Sequence, residues 1–264
     1  MDLNLKDKII IVTGGSSGIG LGIVSSLVAE HAIPFIVGRN EQQLIDTVAE
    51  IRKMGGKADY GVAELTEPDL CIQVIDKAIE LYGRIDGLVN NAGVNDGVSL
   101  QNGSYESFVS SFNKNVTHYY TMAHYCLPHL IKSQGAIVNI GSKTSFTGQG
   151  GTSGYAAANG GRAALTREWA VELLPHKIRV NAVIVAECYT PLYNRWIQSF
   201  ENPEEQLKKI TANIPLENRM TTSREIADMV VFLMSDRSSH TTGQLIFVDG
   251  GYTHLDRALL NNNH

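Results

Sequence analysis

The sequence is poor in residues that staple or break a chain. It has three cysteines, Cys71, Cys126 and Cys188, an odd number with no pair at zinc or redox spacing. That excludes a disulfide framework and fits a reducing compartment. No apolar run approaches the roughly 20 residues that span a bilayer, so no membrane partner is expected. The N-terminus is charged and runs straight into an apolar stretch, unlike a secretory signal, which leads us to expect a cytoplasmic location. Basic residues are outnumbered: 22 Lys and Arg face 27 Asp and Glu, a formal charge of −5, with no Lys/Arg run. A nucleic-acid partner, which needs a basic footprint, is excluded on that ground. Proline is scarce at 7 of 264 residues, while glycine, at 25, exceeds its usual share of roughly 7%. Glycine without matching proline points to tight turns and close backbone approaches inside a regular fold, not to a linker.

What is present suits a large buried core. Apolar residues make up 43% and charged residues 19%, and mean hydropathy is −0.07, which excludes disorder. Short β-branched runs at 8–12, 34–37, 58–63, 87–89, 136–140, 179–184 and 245–248 alternate with helical patterns at 18–30, 41–54, 68–82, 107–132, 153–174 and 223–235. Several runs are apolar on both faces, as strands covered on both sides must be. This alternation predicts an α/β fold, a doubly wound parallel sheet of about seven strands with helices on both faces. Nothing reads as a linker or repeat, so residues 1–264 form a single domain with a polar tail at 260–264. In such a sheet, ligands bind beyond the carboxyl ends of the strands, where the strand order switches.

The first loop there reads Thr13-Gly14-Gly15-Ser16-Ser17-Gly18-Ile19-Gly20 and opens a helix. Glycines permit the sharp turn and let backbone N–H groups reach a pyrophosphate, whose charge the helix N-terminus stabilises. Alone, such a loop also suits an unrelated strand–helix turn. Its spacing is joined by Asn90-Asn91-Ala92-Gly93, Asn115, Ser142 and Tyr155 at the family interval, Arg179-Val180-Asn181 and Asp249-Gly250-Gly251. Together these motifs resemble the short-chain dehydrogenase/reductase family over residues 8–251. The resemblance implies a Rossmann-type domain that is an NAD(P)-dependent oxidoreductase acting on CH–OH groups. It implies Gly14, Ser16, Ser17, Gly18, Ile19 and Gly20 for the phosphates, and Glu64 and Leu65 near the adenine. Asn91, Ala92 and Gly93 would line the cofactor's inner edge, with Thr190 at the nicotinamide carboxamide.

In a dinucleotide fold an acidic residue ending the second strand binds the adenosine ribose and repels a 2′-phosphate. Gly38 stands there instead, followed by Arg39. A missing carboxylate beside a guanidinium, which holds phosphate bidentately, favours NADP(H). NAD(H) is the alternative, with Arg39 stacked on adenine or facing water.

Oxidising a carbinol requires removal of its hydroxyl proton as well as a hydride. A tyrosine can take that proton while a serine hydroxyl orients the oxygen. The resemblance gives these roles to Tyr155 and Ser142, with Asn115 supporting a water relay. The family signature is Tyr-x-x-x-Lys, but this chain reads Tyr155-Ala156-Ala157-Ala158-Asn159. Residue 159 shares the helix face of Tyr155, and in relatives its lysine grips the ribose and favours the phenolate. Asn159 brings no charge. An unperturbed tyrosine is ionised in only about one molecule in a thousand at neutral pH, a deficit of roughly 4 kcal/mol. Three readings stay open. Lys143 or Arg162 replaces the lysine, or the protein binds cofactor and turns over slowly or not at all, or the chain was altered at position 159. If the missing cation impairs catalysis, Asn159→Lys should raise turnover.

Within the family the chain is similar to bacterial sugar dehydrogenases of the L-fucose dehydrogenase type. The likeness lies in Asn91-Ala92-Gly93-Val94-Asn95-Asp96-Gly97, Ser142-Lys143-Thr144, Thr147-Gly148-Gln149-Gly150, and the stretches 165–170, 240–243 and 249–259. It implies a small-molecule substrate, a sugar such as L-fucose or a related aldose oxidised to its lactone. The family's long helices, here 107–132 and 153–174, imply a homotetramer. Asn95, Lys143, Gln149 and Glu187 lie on loops entering the expected pocket and suit a polyol; each by itself also suits a solvated surface. Tyr193 and Trp196 either wall the pocket or pack as core. A dehydrogenase of secondary alcohols or hydroxysteroids is the second reading, and a catalytically weak nucleotide-binding protein the third. No metal site is read from the sequence.

Overall fold

The computed structural model describes residues 2–255. The polar tail 260–264 and the 256–259 part of the sugar-dehydrogenase-like stretch lie outside the described residues. Seven strands, β1 (Ile9–Thr13), β2 (Ile33–Gly38), β3 (Asp59–Val62), β4 (Gly87–Asn90), β5 (Ala136–Ser142), β6 (Arg179–Val185) and β7 (Leu245–Val248), form one sheet in the order β3-β2-β1-β4-β5-β6-β7. Every pairing is parallel, with Val12 level with Ile36 on one side and Val89 on the other. The order reverses between β1 and β4, so the loops leaving these two strands part and open a crevice at their carboxyl ends.

The described residues form nine α-helices: α1 (Gly18–Ala29), α2 (Glu41–Lys53), α3 (Pro68–Tyr82), α4 (Tyr105–Phe112), α5 (His118–Ser133), α6 (Ser153–Glu172), α7 (Pro191–Ile197), α8 (Pro203–Thr211) and α9 (Ser223–Met234). Alternation along β1 shows why both faces need cover. Ile10 and Val12 join Val24, Leu27, Leu44, Val230 and Val231 in a core under α1, α2 and α9. Ile11 points the other way, into Phe35, Leu88, Met122 and Trp169 under α3, α5 and α6. Each such side chain, fully buried, contributes about 1.5–3 kcal/mol.

Two features depart from the sequence reading. The helix expected over 107–132 is broken by a π-helical turn, Asn113–Thr117, between α4 and α5. Asn115, fully buried at its centre, donates through Nδ2 to the carbonyls of Ser111 and Val94, each at 2.9 Å, and accepts from Val94 N–H at 2.8 Å. These bonds tie the widened turn to the loop after β4, a contact that apolar periodicity does not report. The helices α7 and α8 are too short for periodicity to reveal. Their start signals were nonetheless present: Pro191 and Pro203 sit in the first turns, and Thr190 Oγ1 accepts from Tyr193 N–H at 3.2 Å. The three cysteines are free and buried. Among the described residues, no helix is long and apolar enough to cross a membrane, and no group of three or more His, Cys, Asp or Glu is placed to hold a metal.

Candidate active site

The crevice is built first by the loop after β1. Gly14 and Gly18 have φ of +66° and +54°, where side chains other than glycine are strained. Thr13 Oγ1 accepts the backbone N–H groups of Asn91 at 2.9 Å and Ala92 at 3.1 Å, and Asn91 Nδ2 donates to the Thr13 carbonyl at 2.9 Å. The two sides of the crevice are thus latched together. A Cβ on Gly20 would stand 2.1 Å from the Gly14 carbonyl oxygen. Ser17, at the N-cap of α1, makes no side-chain capping bond, which leaves the first-turn N–H groups to a ligand. Glycine-walled, with free helix-end donors, the loop fits a dinucleotide pyrophosphate.

From this loop a cleft of about 620 Å³ runs past Gly38, Arg39, Glu64 and Leu65 in one direction, and past Asn91, Ala92, Gly93, Asn95, Tyr155 and Thr190 in the other. Ser16, Ser17, Gly18 and Ile19 line it as well, while Gly20 lies buried beneath. At the rim Arg39 meets Glu64 at 3.3 Å, with side chains 80% and 41% exposed, a weak surface pair. Burial pushes the Glu64 carboxyl up, but the Thr66 N–H and the Arg39 guanidinium outweigh it and hold the group below its ordinary value.

The expected catalytic residues gather at the far end. Tyr155 stands half-buried in the first turn of α6 and borders the cleft. Ser142 ends β5, its Oγ accepting from Thr144 N–H at 3.3 Å. Asn159 is fully buried: Nδ2 donates to the Tyr155 carbonyl at 2.9 Å, and Oδ1 accepts from an Arg162 guanidinium nitrogen at 3.1 Å. Arg162, named from sequence only as one substitute cation, lies at the centre of this group. Its Nε donates to the Asn115 carbonyl at 2.6 Å and another nitrogen to the Ile140 carbonyl at 3.1 Å.

His118, which sequence reasoning passed over, also borders the cleft. Its Nε2 lies 3.0 Å from the Lys114 carbonyl and so carries the proton, and Nδ1 has no partner among the described residues. Burial, then the neighbouring Arg162 charge, push the ring down from 6.5 to about 4. The unfolded chain therefore binds a proton near pH 6.5 that the folded chain refuses until about pH 4, and stability is expected to fall as pH drops through that window. The loss is at most about 3 kcal/mol. His118→Gln keeps a donor for Lys114 and is expected to flatten the pH dependence of the urea midpoint; equal slopes in both proteins would refute this.

A second, polar pocket of about 430 Å³ opens beside it, lined by Lys143, Thr147, Gly148, Gln149, Tyr252, Thr253 and Leu255. Lys143 forms an ion pair with Glu187 that is nearly withdrawn from solvent, their side chains 10% and 12% exposed. Tyr193 donates its hydroxyl to Glu187; burial, then that carboxylate, push its phenol far up. Lys143 Nζ lies 4.2 Å above the Tyr252 ring, and the buried Thr253 hydroxyl has no partner among the described residues. So Lys143, Gln149, Glu187 and Tyr193 come together, whereas Asn95 belongs to the other cleft, where its Oδ1 accepts from Gly97 N–H at 3.3 Å. Trp196 is 47% exposed, edge-on to Tyr193 and Phe200 in an aromatic row, and is not core. Tyr252 and Thr253, inside the 249–259 stretch of the sugar-dehydrogenase likeness, were not read as pocket residues.

Known proteins share this fold. A family model described as enoyl-(acyl carrier protein) reductase matches residues 14–253. The 3-oxoacyl-(acyl-carrier-protein) reductase FabG of Thermotoga maritima is 34% identical over 94% of this chain and 99% of its own. The crystal structure of Cj0485 dehydrogenase superposes with a TM-score of 0.93 at 44% identity, covering 98% of each chain. The aldohexose dehydrogenase of Thermoplasma acidophilum does so at 0.85 with 28% identity, over 97% of this chain and 98% of that one. A seven-stranded doubly wound sheet, a glycine loop latched by Asn91 and matches over nearly the whole length leave one family: the chain belongs to the short-chain dehydrogenase/reductases, oxidoreductases that bind NAD(P) and act on alcohol or keto groups.

Proposed function

We propose that the protein oxidises a polyhydroxylated substrate, a sugar such as L-fucose or a related aldose, to its lactone, using NADP(H) in preference to NAD(H). The observation that carries the sugar reading is the nearly buried Lys143–Glu187 pair, whose Lys143 follows Ser142 and lines the polar pocket. Withdrawing two charges from water is unfavourable unless polar partners meet them, and a sugar presents hydroxyls to do so. The unpartnered Thr253 hydroxyl and the Gln149 amide extend the same surface. A hydroxysteroid would desolvate all of these without compensation. Likeness to an aldohexose dehydrogenase supports the reading.

In this mechanism Ser142 Oγ holds the substrate oxygen and Tyr155 takes its proton. Bound in the cleft, the nicotinamide supplies a hydride acceptor. The loop from Gly14 to Gly20 would hold the pyrophosphate, and Thr190 the carboxamide. Preference for NADP(H) rests on the space at Gly38, with Arg39 beside it. A homotetramer is supported by apolar residues left exposed on α4 and α5, among them Phe108, Val109, Phe112 and Tyr120.

The test is near-ultraviolet detection of reduced nicotinamide with each cofactor, against L-fucose, other aldoses and hydrophobic secondary alcohols. Faster turnover of the alcohols than of any aldose would sink the sugar reading. A Cβ at Gly38 would stand 3.4 Å from Leu44 and 3.7 Å from the Ser16 hydroxyl, both ordinary contacts, so Gly38→Asp fits. It is expected to lower kcat/KM for NADP⁺ at least ~10-fold relative to NAD⁺ by placing like charge against the 2′-phosphate; an unchanged ratio would refute the cofactor preference.

A further inference from the structure

Two cationic side chains are buried among the described residues, Lys143 and Arg162. Glu187 neutralises Lys143. Arg162, 3% exposed, has no carboxylate partner among the described residues. An uncompensated buried charge is destabilising, so the fold retains this one against a stability cost. Its donors are nearly all committed. Beyond its bonds to the Asn115 and Ile140 carbonyls and to Asn159 Oδ1, it reaches Asn115 Oδ1 at 3.4 Å, and its face covers the Tyr119 ring at 4.3 Å. Four of the five N–H groups of a guanidinium are thereby used. No fork remains to clamp a substrate carboxylate. What is left is a fixed positive charge in the wall of the cleft that Tyr155 also borders.

We infer that Arg162 is the positioning cation of this site, its charge favouring a deprotonated Tyr155 oxygen, and that Asn159 serves to hold the guanidinium. This rests on the dehydrogenase reading above. There the carbinol O–H proton passes to the Tyr155 oxygen, the C–H electron pair leaves as hydride to the oxidised nicotinamide, and the C=O bond forms. Tyr155 must then release its proton to water before the next turnover. The other titratable groups around the cleft do not supply this charge. His118 is held neutral and Tyr119 lies beneath the guanidinium. Arg39 and Glu64 pair at the outer rim, Lys114 faces Asp96 at 3.9 Å, and Arg195 is exposed.

The test titrates tyrosinate ultraviolet absorbance in the cofactor-free protein, with Tyr155→Phe subtracted, beside kcat against pH for the panel substrate turned over fastest. Arg162→Leu is expected to move the Tyr155 step up by about one pH unit or more. At neutral pH its kcat should fall roughly 10- to 100-fold, with the deficit narrowing as pH rises. Arg162→Lys keeps the charge while losing most of the hydrogen bonds, and should titrate close to the parent. Asn159→Lys alone sets two cations side by side and should give no gain, whereas Asn159→Lys combined with Arg162→Leu should recover most of the loss. If Arg162→Leu does not fold, Arg162→Lys and the double variant decide the matter by the same titration. An unmoved step in Arg162→Leu, Lys and Leu variants impaired alike with one pH profile, or higher turnover in Asn159→Lys alone would each overturn the assignment. Undiminished turnover in Tyr155→Phe would overturn the dehydrogenase reading instead.

Discussion

Replacing Tyr155 by phenylalanine is expected to lower turnover about 1,000-fold, within the range that positioned proton transfer supplies. The substitution removes one oxygen and keeps the ring that α6 holds half-buried at the cleft. That hydroxyl makes no hydrogen bond among the described residues, so folding loses nothing by its removal. Melting temperature and cofactor affinity should therefore match the parent while kcat collapses. Reduced-nicotinamide formation with the best panel substrate, read beside cofactor fluorescence, measures both. A variant keeping more than roughly a tenth of the parent's turnover would show that another group moves the proton.

Gly20→Ala is expected to abolish cofactor binding by a different route. Its Cβ would meet the Gly14 carbonyl oxygen at 2.1 Å and Asn91 Nδ2 at 2.7 Å. Neither neighbour can swing aside: one is backbone, and the other is the amide that latches β1 to the loop after β4. The loop must shift as a whole, carrying Gly14 and Gly18 away from the pyrophosphate. Cofactor affinity should fall at least about 100-fold, corresponding to roughly 2.7 kcal/mol. The same substitution at Gly160 meets nothing within 4 Å and, inside a helix, should stabilise by about 1 kcal/mol. Cofactor titration and thermal melts of the two variants separate the cases; binding retained in Gly20→Ala would refute the steric account.

The sheet was legible because its signal is local. Runs such as Ile9-Ile10-Ile11-Val12 are apolar on both faces, and burial on both faces is what they met. The glycine loop was legible for a similar reason, since few residues other than glycine tolerate the φ of Gly14 and Gly18. Lys143 was not, because what turns a loop lysine into a buried one is Glu187, on a distant strand end. Arg162 was harder still. The sequence offers it only as one of two cations that could replace the lysine, and the carbonyls of Asn115 and Ile140, from two other elements, show why it is buried. Asn159 looked like a lost cation; beside Arg162 it is a bracket between the Tyr155 backbone and a guanidinium. Side-chain partners far apart in the chain leave no periodic trace.

The π-helical turn at Asn113–Thr117 also sets the phase of everything after it. One residue advances a helix by about 100°, so the widened turn rotates α5 about its axis relative to a straight continuation of α4. That rotation aims the stripe of Tyr119, Met122, Cys126 and Leu130 at the sheet and His118 at the cleft. Winding the same five residues as an ordinary α-turn would leave every amino acid of α5 in place in the sequence and point them all at the wrong neighbours.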